Sequence, residues 1–243
     1  MRERETQENL STELLEVVGS LKGYLLEAID TGGKVQMFSA AGKTTADTLG
    51  EGESAGEVKS RAEQLAALEE ELQSCRGCPL WTTRKTVVFG EGNPEARLMF
   101  VGEGPGEEED LQGRPFVGRA GQLLTKIINA MGLSRNDVYI ANIVKCRPPG
   151  NRVPNPEERQ ACTPFLRRQI EVIGPRVICA LGAVAAQFFL QTETAVSVLR
   201  GRFHSYGSID LMATYHPAYL LRNPKAKKQV WEDVQEIMKR LNR

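Results

Sequence analysis

Four of the five cysteines in this chain are spaced to serve one centre. Cys75 and Cys78 form a C-x2-C pair, and Cys146 and Cys162 follow far downstream. Two thiolates three residues apart reach a single metal centre through a short turn, and two more from distant segments complete a four-thiolate site. Cys146 comes just after an apolar run ending at Val144, and Cys162 lies in the helix expected next, so both can face a common point. Spacing alone does not separate Zn2+ from an iron–sulfur cluster, and free cysteines are also common as plain core residues. Cys179, inside Val177-Ile178-Cys179-Ala180, reads as core packing.

A second group of residues has the chemistry of a base-binding pocket. Gly102, Gly104 and Gly106 follow the apolar run Leu98–Val101, and Glu103, Glu107, Glu108, Glu109 and Asp110 crowd the same turn. A dinucleotide turn needs G-x-G-x-x-G and amides free for a pyrophosphate. Here Pro105 removes one amide and the carboxylates repel phosphate. Phe116 stands between Gly113 and Gly118, flanked by Arg114 and Arg119; it is either a core plug or a platform for a flat base. Asn142 closes an apolar run, where an amide needs a partner. It can be a satisfied strand cap, or it can pair with an edge presenting N–H beside C=O, as uracil does at N3 and O4; cytosine presents the reverse. His216, one of two histidines, opens His216-Pro217-Ala218-Tyr219-Leu220-Leu221-Arg222. It can be structural or can donate to a developing oxyanion. Leu220 and Leu221 can start a core helix or wedge between bases.

Elements that would position these residues can be read from periodicity. Strands are expected at 86–89, 97–101, 137–144, 176–180 and 209–214, and helices at 61–74, 119–131, 156–173, 182–190 and 226–241. Strands alternating with helices imply an α/β domain over 61–243 with a mainly parallel sheet. Ligands of such sheets bind beyond the carboxyl ends of the strands, which singles out loops 102–118, 145–155 and 215–224. Residues 8–30 have amphipathic helical spacing, with Leu10, Leu14, Val17, Val18, Leu21, Leu25 and Leu26 mostly on one face, and a Gly/Ser/Thr/Ala-rich stretch after them reads as a flexible linker. Net charge is zero but uneven: residues 1–60 hold 6 Lys/Arg against 11 Asp/Glu, leaving 25 against 20 for the rest, a mildly basic body that fits nucleic acid. No apolar run approaches the ~18 residues of a membrane span. The start, MRERETQENL, has no signal-peptide core, so a cytoplasmic location is expected.

Taken in order, these stretches resemble the family 4 uracil-DNA glycosylases, the iron–sulfur type of bacteria and archaea. The resemblance is carried by C-x2-C at 75–78, GEGPGEEED at 102–110, GRPFVGRAGQLL at 113–124, NIVKCRPPGNRVPNPEE at 142–158, Cys162, and HPAYLL at 216–221; it spans about 68–241 and does not reach residues 1–60. It implies a three-layer α/β/α fold around a central, mainly parallel four-stranded sheet. It also implies a [4Fe–4S] cluster on Cys75, Cys78, Cys146 and Cys162, with a structural role. The implied activity is hydrolysis of the bond joining uracil to deoxyribose in DNA, after the base is flipped out of the duplex. By resemblance, Phe116 stacks on uracil, Asn142 reads its edge, and His216 donates to the oxygen that gains charge. Glu103 lies in the water and sugar region, Glu109 shapes the wall near uracil C5, and amides of Gly102, Gly104 and Gly106 face a uracil carbonyl. Arg114, Pro217, Leu220 and Arg222 would meet DNA. One departure stands out: several related families carry Asp or Asn where this chain has Gly104, so the group that activates water is not assigned. A covalent DNA adduct is not expected, since no histidine and no insertion occurs between residues 102 and 124.

Two other classes fit parts of the pattern. A partner-recruiting iron–sulfur scaffold would use the apolar face over 8–30. An iron–sulfur redox protein would account for the cysteines but leave Phe116, Asn142 and His216 without a role.

Overall fold

The computed structural model describes residues 59–242. The helix expected at 8–30 and the linker after it lie outside the described residues.

Two strands are apolar throughout because both their faces are covered. β2 (Leu98–Gly102) and β4 (Val177–Leu181) are buried at every position. Such continuous runs are typical of inner parallel strands. β3 (Tyr139–Asn142) and β6 (Ile209–Thr214) flank them, giving four parallel strands in the order β3-β2-β4-β6. The short antiparallel strands β1 (Glu91–Gly92) and β5 (Phe203–Tyr206) extend the sheet at its two edges to six. The expected four-stranded core is therefore present, with an added strand on each side.

Side chains alternate across this sheet and build two cores. Met99, Val101, Ile178, Ala180 and Leu211 face one, with α1 (Arg61–Gln73), α4 (Pro156–Ile173) and α5 (Ala183–Leu190). Leu98, Phe100, Val177, Cys179 and Met212 face the other, with α3 (Arg119–Ala130) and α8 (Lys227–Leu241). Three short helices complete the order: α2 (Glu107–Gln112), α6 (Val196–Leu199) and α7 (Pro217–Arg222). Among the described residues no helix is long and apolar enough to cross a membrane.

Three departures of the sequence reading from this architecture have a clear local cause. Residues 86–89 are not a strand. The segment is held by one backbone bond, Val88 N to Lys145 O at 2.8 Å, while the Phe89 carbonyl accepts from Lys145 Nζ and Gln169 Nε2, so side chains take a group that a ladder would use. β5 was not expected because Phe203-His204-Ser205-Tyr206 is only half apolar; the turn through Gly207, at φ +59°, folds it back on β6. The acidic stretch read as a loop is α2. Glu107, Glu108, Glu109 and Asp110 fill its first turn, where carboxylates complement the exposed amides of a helix start.

Candidate uracil pocket and cysteine centre

Register alone brings the first two pocket residues together. Gly102 and Asn142 are paired positions at the carboxyl ends of β2 and β3. A Cβ on Gly102 would stand 2.5 Å from both Asn142 Oδ1 and Phe116 Cζ, so only glycine lets these groups meet. Asn142 is 2% exposed, and its Oδ1 has no hydrogen-bond partner. An orphaned buried acceptor costs about 1–3 kcal/mol, a cost that a ligand N–H would remove.

His216 arrives from the far side. It lies two residues beyond the end of β6 and caps α7, with Nδ1 accepting from Ala218 N at 3.1 Å. The proton therefore sits on Nε2, which is left as a donor. Its ring centroid is 5.6 Å from that of Phe116. Burial pushes its pKa down to about 4, Arg222 adds to the fall, and Glu109 opposes it. The ring is thus neutral at pH 7, and can donate a hydrogen bond without giving up a full proton.

The acidic residues divide sharply in role. Glu103 is half-buried, and burial raises its pKa against the pull of Arg159. Glu109 spends both oxygens on the backbone: Oε1 accepts from Val117 N and Gly118 N at 2.9 Å, and Oε2 accepts from Gly106 N at 3.1 Å. It thereby clamps the glycine turn to the Phe116 loop. Asp110 is buried and accepts from Lys85 N, which fastens α2 to the preceding segment.

Two of the four expected DNA contacts are corrected. Leu220 is 1% exposed and belongs to the second core, and Pro217 is buried in the first turn of α7. The helix repeat turns Leu221 outward instead, at 39% exposed. Arg114 and Arg222 remain on the surface. Sequence reading missed Arg135, whose guanidinium reaches the carbonyls of Pro115 and Phe116. An Arg in a turn after a helix carries no sequence signal of that kind.

Cys75, Cys78, Cys146 and Cys162 line one pocket, closed by Trp81 and Arg84. Arg84 Nη1 lies 3.2 Å from Cys146 Sγ, and Lys145 N lies 3.3 Å from Cys162 Sγ. Burial raises the pKa of Cys78, of Cys146, and of Cys162, the last to about 12. Among the described residues, no three His, Cys, Asp or Glu side chains are grouped so as to hold one metal ion. Cys179 is fully buried in β4, as expected of a core residue.

The family model of the Uracil DNA glycosylase superfamily matches residues 89–235, which takes in the glycine turn, Phe116, Asn142 and His216. This chain belongs to that superfamily. It is 49% identical over 181 residues to the type-4 uracil-DNA glycosylase of Thermotoga maritima, covering 73% of this chain and 94% of the relative. It is 44% identical to the type-4 enzyme of Archaeoglobus fulgidus, covering 72% and 92%. A type-5 uracil-DNA glycosylase of Pyrobaculum aerophilum is 30% identical over 74% of this chain and 86% of its own length. The similarity is thus strongest to the type-4 branch.

Proposed function

We infer that this protein excises uracil from DNA as a monofunctional glycosylase and leaves an abasic site. The observation that carries the reading is the partnerless Asn142 Oδ1. It lies beside Gly102 and the Phe116 ring, and the N3–H of uracil would supply the missing donor. The bond from C1′ to N1 breaks with its electron pair leaving on uracil. The neutral His216 donates from Nε2 to the uracil oxygen that gains charge. The sugar becomes an oxocarbenium ion, water adds to it at C1′, and the proton the water loses balances the one that the uracil anion takes up. Glu103, which the resemblance sets in the water and sugar region, would stabilise that positive charge. Gly104 offers no side chain to activate the water. Phe116 is only 6% exposed and close to His216, so a flipped base enters as the ring and the His216 loop part.

The cysteine pocket fits a [4Fe–4S] cluster. Four thiols line one pocket, a guanidinium and a backbone amide point at two of their sulfurs, and the resemblance to the type-4 branch selects iron–sulfur over Zn2+ for such a donor set. The cluster would supply the cross-link between the segment before the sheet and the loop after Asn142. Arg114, Leu221 and Arg222, all on the surface, would meet DNA, and residues 61–243 would carry the activity. The apolar face that the sequence offers over 8–30 would serve a protein partner instead. The test is excision from matched oligonucleotides bearing one uracil or one thymine at the same position, with alkaline cleavage to reveal abasic sites. Product from uracil alone is expected, and the 61–243 fragment should retain it within about twofold. Product from neither substrate, with the cluster absorbance intact, would leave the scaffold reading in its place.

A further inference from the structure

The loop that carries Phe116 is strained and heavily braced. Phe116 has φ +54°, a conformation that bulky residues seldom adopt and that costs about 1–3 kcal/mol. Something must hold it there. On its amide side, Glu109 takes Val117 N and Gly118 N. On its carbonyl side the holder is Arg135, whose side chain is only 16% exposed. Arg135 Nη2 donates to Pro115 O at 2.7 Å, and Nη1 donates to Phe116 O at 3.1 Å and to Thr125 Oγ1 at 3.1 Å. The first turn of α3 makes room for this: a Cβ on Gly121 would lie 1.8 Å from the Phe116 carbonyl oxygen. The remaining edge of the guanidinium meets Glu91, with Nε donating to Oε1 at 2.7 Å. Glu91 is shared. Its Oε2 accepts from Arg114 Nε at 2.8 Å, and the Arg114 side chain is 60% exposed.

We propose that Arg135 is the positioning residue for the Phe116 ring, and that Glu91 ties this brace to the DNA-facing Arg114. The planar fork of arginine is what the geometry requires. It donates in three directions at once to two consecutive carbonyls, a hydroxyl and a carboxylate, which a lysine ammonium on a flexible stem cannot reproduce. The backbone at 115–118 is thereby fixed while the ring keeps its own torsions to admit a base. A phosphate that draws Arg114 toward DNA leaves Glu91 wholly to Arg135, so backbone contact and pocket order are linked through one carboxylate. The proposal rests on the reading that Phe116 stacks on uracil.

The test is a double-mutant cycle on the full-length chain, read as single-turnover excision rate and KM on a uracil-containing duplex. Phe116→Ala should slow excision at least about tenfold. Arg135→Ala should slow it by a similar factor with KM little changed, and should add less than about twofold when Phe116 is already Ala. Glu91→Gln should give part of the loss and be equally silent on Phe116→Ala. If Arg135→Ala melts at the assay temperature, Arg135→Lys, which keeps the charge and the buried stem, carries the same cycle. Full activity in Phe116→Ala would overturn the stacking reading, and the inference with it. A slow Phe116→Ala with Arg135 effects that are absent, or equal in both backgrounds, would overturn the positioning role and leave stacking in place.

Discussion

The uracil pocket and the cysteine pocket hang on the same stretch of chain, with Asn142 and Cys146 four positions apart, yet they are incomplete in opposite ways. Around Asn142 the polypeptide satisfies nearly everything itself. Glu109 and Arg135 brace the loop, Ala218 N fixes the His216 tautomer, and one acceptor is left open. Around Cys146 the four thiols line one pocket with few donors, and burial raises the pKa of Cys78, Cys146 and Cys162. The first arrangement stands alone between turnovers and is finished by a transient ligand. On the proposed reading the second takes a permanent one, whose iron would balance the charge of four thiolates. A substrate site can tolerate a missing partner costing a kilocalorie or so. A cofactor site distributes its occupant's binding energy into the fold.

That contrast is broken most directly at Cys146. Cys146→Ala should remove the cluster absorbance, abolish excision, and lower Tm by about 10 °C or more, since a domain of this size loses about 2–4 °C per kcal/mol. A variant that loses the absorbance but keeps its Tm and its rate would make the cysteine centre dispensable and the contrast empty.

Asn142 should behave in the reverse sense. Asn142→Leu removes the orphaned acceptor along with the edge-reading group. Excision should fall about a hundredfold, the scale of losing a well-placed transition-state hydrogen bond, while Tm stays at or above that of the parent. Asn142→Asp should also weaken uracil excision. A Tm that collapses with the activity of Asn142→Leu would mean that the amide is a structural cap.

His216 sharpens the comparison through pH. Its folded pKa of about 4 lies below the ordinary 6.5, so the unfolded chain takes up the proton first as pH falls. The stability it contributes is complete above pH 6.5 and declines as pH drops from 6.5 toward 4. His216→Gln, which keeps a donor but cannot titrate, should flatten that part of the Tm profile and slow excision about tenfold. In the parent protein, excision should show no break at pH 6.5. A break there that disappears in His216→Gln would show a ring that titrates normally and works as an imidazolium.

Much of this was legible in the sequence because the parallel sheet makes it so. The apolar runs of β2 and β4 mark inner strands, and their carboxyl ends mark the loops where Gly102, Asn142 and His216 were found. Residue types at those ends pointed to the chemistry. Contacts made through the backbone were not legible. The clamp made by Glu109 is one example, since its partners are three amides, which leave no trace in residue identity. Arg135 was hidden for the same reason, since its main partners are the carbonyls of Pro115 and Phe116. Residues 86–89 have strand composition but lose their ladder acceptor to Lys145 and Gln169, which are distant in sequence.

The α7 pair tests the smallest of these effects on excision and separates a residue's type from its direction. Leu220 and Leu221 are identical in composition, but one helix step places the first in the core and the second at the surface. A wedge works by filling the gap that a flipped base leaves in a stacked duplex; single-stranded DNA has no such gap. Leu221→Ala should therefore weaken excision from duplex DNA about threefold to tenfold and leave single-stranded substrate and Tm nearly unchanged, since exposed substitutions usually stay within about 0.5 kcal/mol. Leu220→Ala should act on stability instead, by about 2–5 kcal/mol, with equal effects on the two substrates. A duplex-specific loss in Leu220→Ala and none in Leu221→Ala would require α7 to unwind and turn its buried face outward on meeting DNA.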